Sequence, residues 1–162
     1  MSTARKILIF GGVALALFGM LYGLHYAVFV EHQTLDGMGR SLTLAFTCGA
    51  ARNLPEAQGY IHGYADTKYK YVRQVDVHSH WIGLAMLMIV LGAAFDSAAL
   101  GASMQKLVAL SMLAGSIAFP LGVMLQTVTH GGALANGFAI GGSALVIMSL
   151  GLTAFGFARD AL

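Results

Sequence analysis

Six histidines carry most of the chemistry this chain can offer, and their spacing says more than their number. Imidazole titrates close to neutral pH and, in its neutral form, is the commonest metal ligand. His78 and His80 are separated by a single residue. On an α-helix such a pair diverges by about 200°, so the two rings leave opposite sides and serve two sites rather than one ion. A helical zinc site would prefer ligands four residues apart, and nothing here has the spacing of a Cys/His zinc cluster. A His-x-His helix suits a position between two flat cofactors, each receiving one imidazole. His130 precedes Gly131 and Gly132, which leaves space beside the ring for something as wide as a porphyrin. His25 is the fourth candidate ligand, whereas His32 and His62 read as solvated surface.

The elements that hold these residues are set by hydropathy. Of 162 residues 57% are hydrophobic and 10% charged, which is the composition of a bilayer protein. About 20 apolar residues cross the hydrocarbon, and residues 7–30, 77–95, 107–128 and 133–157 each supply such a run. The fold class expected is all-α: an integral membrane four-helix bundle in one membrane domain, capped on its outer face by the polar stretch 31–76. Within that stretch Ser41 to Ala51 is apolar but too short to cross, and it reads as an interfacial or re-entrant segment ended by Asn53-Leu54-Pro55. From Glu56 onward, Tyr60, Tyr64, Tyr69 and Tyr71 alternate with His62, Lys68, Lys70 and Arg73, a pattern suited to a helix rising into the headgroup region.

The opening Ala4-Arg5-Lys6 followed by an apolar run resembles a secretory signal, but the run continues to Val30 without an Ala-x-Ala-like cleavage site and is read as a retained first helix. Cys48 is single and has no intramolecular partner. A net charge of +2 without a basic patch gives nucleic acid nothing to meet. Arg5, Lys6, Lys106 and Arg159 cluster in short segments at one end, against Arg40, Arg52, Lys68, Lys70 and Arg73 dispersed along the long polar stretch. This favours both termini in the cytoplasm of an inner-membrane protein, with the histidines towards the periplasm. Two small-residue patterns, Gly19-x-x-x-Gly23 and Gly137-x-x-x-Gly141, predict close helix approach, and Pro120 predicts a kink within the third span.

On these residues the sequence resembles a known family. Val75-Asp-Val-His78-Ser-His80-Trp-Ile-Gly-Leu-Ala-Met is similar to the helix of haem-copper oxidases and nitric oxide reductases that carries a His-x-His pair, and His130-Gly131 to their His-Gly helix. The resemblance implies that His80 and His130 are the axial ligands of a low-spin haem b, with His78 holding a second haem or a metal such as copper. The chain has no His-Pro-Glu-Val-Tyr-like segment and no adjacent His-His pair, so a complete copper-containing centre is not expected. Because the family's catalytic subunit is built from three arcs of four helices, the resemblance also implies a homo-oligomer, and specifically a trimer.

Three functions follow from the sequence. The leading expectation is a membrane haem b protein that relays electrons to an unidentified redox partner or binds O2 or NO, with oxidoreductase activity left open. The second is a copper-binding membrane protein using His25, His78, His80 and several of the nine methionines. The third is a cofactor-free accessory subunit whose histidines are structural or flank a quinone. Asp76, one turn before His80, is positioned to hydrogen-bond a ligand imidazole.

Overall fold

Helix α1 (Thr3–Phe29) begins where the Ser2 hydroxyl accepts the Arg5 N–H at 3.2 Å, and it runs without a break through 27 mostly apolar residues. The computed structural model describes residues 1–160. After α1 come α2 (Glu31–Ala50), α3 (Leu54–Ala94), a 3-10 turn (Phe95–Ser97), α4 (Ala102–Thr129) and α5 (Ala133–Asp160). Among the described residues there is no strand. Helices α1, α3, α4 and α5 are each long and apolar enough to cross a membrane, so the chain is an all-α protein with four membrane-spanning helices.

The outer stretch is more regular than its sequence predicts. Almost all of Ser41 to Ala51 forms the second half of a continuous α2. Gly37 and Gly39 do not interrupt that helix, and the hydroxyls of Thr34, Thr43 and Thr47 each donate to the carbonyl four residues back. The turn falls at Arg52 and Asn53. Arg52 takes a left-handed conformation (φ 61°), the Asn53 N–H donates to the Cys48 carbonyl at 2.8 Å, and Pro55 fits the first turn of α3 where no N–H is required.

Helix α3 has 41 residues, so it is about 61 Å long, roughly twice the hydrocarbon thickness. Its apolar stretch, from Val77 to the end of the helix, is the part able to cross a bilayer, and residues 54–76 precede it and pair with α2 as an antiparallel hairpin. Tyr71, whose hydroxyl donates to Glu31 at 3.4 Å, ties the base of the hairpin together.

In the membrane α1 and α3 pack antiparallel through small residues. A side chain added at Gly12 would meet Ala85 and Ile89, at Gly19 it would meet Trp81 and Ile82, and at Gly92 it would meet Leu8 and Ile9. Helix α4 closes against both, and Trp81, Met88, Met112 and Leu8 are fully buried between them. Pro120 is buried inside α4, which continues through it. Helix α5 touches only α4 and the 3-10 turn, through Gly115 and Gly122 of α4 and Gly142 of its own. Gly137 and Gly141 face the other way into open space, so the small-residue pattern of α5 is not what joins it to α4. At the opposite end of the bundle Arg5 pairs with Asp96 at 3.1 Å.

Candidate functional site

Depth can be read along α3. Counted from Phe95, where the apolar run of α3 ends, at a rise of 1.5 Å per residue, His80 lies about 22 Å and His78 about 25 Å along the helix axis. Both distances are shorter than the hydrocarbon thickness of about 30 Å that a span must cross, so both imidazoles fall within the length of α3 that can lie in a bilayer. His25 lies one turn before the end of α1, and His32 and His62 are exposed on the hairpin.

His78 faces α1. Its Nδ1–H donates to the Gly19 carbonyl at 2.9 Å, and its ring lies on Gly23, where an added Cβ would collide with it. The Gly19-x-x-x-Gly23 pattern is thus a receptor for Trp81 and His78. Donation from Nδ1 leaves the lone pair on Nε2, which is the tautomer of a metal-ligating imidazole whose other nitrogen is anchored on a backbone carbonyl.

His80 leaves α3 on the opposite side and lies against Phe119 of α4, with ring centroids 4.5 Å apart and planes tilted by 41°. The Phe119 backbone itself abuts Gly142 of α5. His80 therefore lies against α4, on a flank of α3 that α5 does not touch. Neither of its ring nitrogens has a hydrogen-bond partner among the described residues.

His130 is elsewhere. It ends α4 in a left-handed conformation (φ 47°, ψ 39°), with Gly131 following at φ 92°. The two glycines serve a tight turn rather than a cofactor edge: the positive φ of Gly131 is accessible to glycine at little cost, and the Gly132 N–H donates to the Thr129 hydroxyl at 3.2 Å. The His130 ring stacks on Tyr69 at 5.6 Å, and its Nε2 lies 3.6 Å from Asp66. Asp66 is fourteen residues from His80 on the same helix, about 21 Å along its axis. Metal–imidazole bonds are about 2 Å long, so two axial nitrogens must come within roughly 4 Å of each other. Within one chain, then, the structure does not bring His80 and His130 together, because the α4–α5 turn puts His130 beside Asp66 and Tyr69 of the hairpin.

The remaining candidates separate as well. Asp76 pairs with Arg73 at 3.7 Å and is not a partner of a histidine. Met88 is wholly buried in the core and Met86 faces outward, so neither joins the histidines. Among the described residues no three His, Cys, Asp or Glu side chains converge as a cage for a metal ion. Compared with known protein families, curated proteins and solved structures, the chain matches none.

Sequence reasoning missed two groupings. One is the corner formed by Asp66, Tyr69, Lys70 and His130. The Lys70 ammonium, bonded to Asp66 at 2.9 Å, together with the charge of His130, holds that carboxyl below its usual range. The other is a groove at the outer end of α1 that gathers Tyr22, His25, Tyr26 and Gln74. Its only trace in the sequence is the i, i+4 pair Tyr22 and Tyr26 with His25 between them.

Proposed function

We propose that this is a membrane haem b protein in which His80 is the axial ligand, acting as a homo-oligomer in electron transfer or in binding O2 or NO. The observation that carries this reading is an imidazole inside the hydrocarbon with no hydrogen-bond partner. A polar group there is costly unless something satisfies it, and ionisable side chains at such depth mark function. Iron needs a single nitrogen from this face, whereas a protein-bound copper ion needs several converging ligands. The absence of a three-ligand cluster among the described residues thus favours the porphyrin over copper. The likeness of Val75 to Met86 to the His-x-His helix of haem-copper oxidases and nitric oxide reductases supports the same assignment.

When bound, haem would supply a redox-active iron whose potential is set by ligation and burial. The chain's own residues do the rest. His80 would donate the nitrogen, and Phe119 borders it with an apolar ring. His78 is committed to Gly19 and fixes the rotation of α3, and with it the direction in which His80 points. No second histidine of the same chain faces His80. A neighbouring copy completing the coordination would make an electron carrier, and an open sixth position would suit a gas.

The oligomer is proposed because His80 lies on an uncovered flank and because Gly137 and Gly141 present a small-residue surface with nothing against it. A trimer is the form implied by the resemblance. We further propose that the histidine-bearing end faces the periplasm, since Arg5, Lys6, Lys106 and Arg159 lie towards the other end of the bundle. Quantifying haem b per chain as the pyridine haemochrome tests the reading: a stoichiometric yield supports it, and a colourless protein purified from haem-sufficient cells overturns it. A cofactor-free accessory subunit would then be the surviving alternative.

A further inference from the structure

At the outer ends of α1 and α4, above α3, the helices part to leave a groove of about 330 Å³. Gln74 lies about 31 Å from Phe95 along α3, which puts the groove at the junction of acyl chains and headgroups. Its apolar surface comes from Met124 and Val128 of α4, facing the rings of Tyr22 and Tyr26 on α1. Four polar groups of its lining, the Tyr22 and Tyr26 hydroxyls, the Gln74 amide and the His25 ring, have no hydrogen-bond partner among the described residues, and the Tyr22 hydroxyl is enclosed.

The chemistry of these groups selects a ligand. Hydroxyl and amide are uncharged donors, and the groove is lined by no Lys, Arg, Asp or Glu. A phosphate headgroup would require a cation, and a metal ion would require more than one histidine. Neutral donors set among aromatic and thioether surfaces fit a flat, neutral ring with carbonyl acceptors. We infer that the groove binds the head group of a membrane quinone, with Tyr22 and Gln74 donating to its carbonyl oxygens and its isoprenoid tail leaving between α1 and α4 into the lipid. Only binding is claimed, and the inference does not rest on the presence of haem at His80.

Trp81, the only tryptophan in the chain, meets the Tyr22 ring edge-on at 5.3 Å and provides a local fluorescent reporter that quinones quench. The full-length protein in detergent is titrated with decylubiquinone. Saturable quenching is expected, weakened about fivefold in Tyr22→Phe and in Gln74→Leu, the effect of losing one hydrogen bond. Tyr22→Phe removes only an unpartnered hydroxyl and should fold as the parent does. Quenching that rises linearly without saturating would be partition into the micelle and overturns the inference. Saturable quenching unchanged in both variants would place the quinone in the apolar cleft beside Leu15 and Phe18, and overturns it equally.

Discussion

His130 Nε2 lies 3.6 Å from the Asp66 carboxylate, a contact that fastens the α4–α5 turn to the projecting part of α3. Asp66 is held below the usual carboxylate range first by the hydrogen bond from Lys70, then by the charges of Lys70 and His130. A carboxyl with a depressed folded pKa stabilises the fold above its unfolded pKa, near 3.8, and that contribution is lost as pH falls through the folded value. Thermal unfolding of the parent and of Asp66→Asn should therefore differ at neutral pH and converge below about pH 3.8. A gap of constant size across that range would show that the carboxylate charge is not what holds the corner.

Gly23 and His78 occupy one volume between α1 and α3. Gly23→Ala forces the imidazole aside and should destabilise the protein by about 1–3 kcal/mol, the cost of overpacking. In the Gly23→Ala, His78→Ala double variant the added methyl faces the space the ring has left, so the two effects should be strongly non-additive in a double-mutant cycle. Additive losses in detergent unfolding experiments would mean that the two residues do not share that contact.

Topology is accessible to an impermeant thiol reagent once Cys48 has been replaced by serine. Gln58 in the hairpin and Ser97 beyond α3 are both exposed and lie at opposite ends of the bundle. Cysteine at Gln58 should label from outside intact cells and cysteine at Ser97 only after lysis. The reverse pattern would invert the proposed orientation.

A side chain added at Gly137 or Gly141 meets nothing in the chain itself. Gly137→Leu and Gly141→Leu should thus leave the subunit folded, and if α5 packs on a neighbour they should shift native mass spectra from oligomer to monomer. An unchanged oligomer would remove α5 from the interface.

The membrane helices were legible because each is a long apolar run, a signal that survives without tertiary information. The opposed directions of His78 and His80 were legible for a similar reason, since helical periodicity fixes the angle between them. What the sequence concealed was axial register. The third apolar run ends at Val128 and α4 ends at Thr129, but nothing in that run shows that the α4–α5 turn lies beside Asp66 and Tyr69 of α3. The hairpin was hidden because its glycines and charges suggest a loop, while the pairing of α2 with α3, anchored at Glu31 and Tyr71, is a long-range contact.

The proposed ligand is tested most directly by the reduced-minus-oxidised absorption spectrum of the purified protein and of two variants. The parent should show a Soret band with sharp α and β bands on reduction. His130→Ala should retain that spectrum, because its ring belongs to the Asp66 corner about 21 Å along the axis of α3 from His80. His80→Ala should lose haem or shift its bands while its helices remain inserted. A His80→Ala protein with the parent's spectrum and full haem content would contradict the assignment of His80 as the axial ligand.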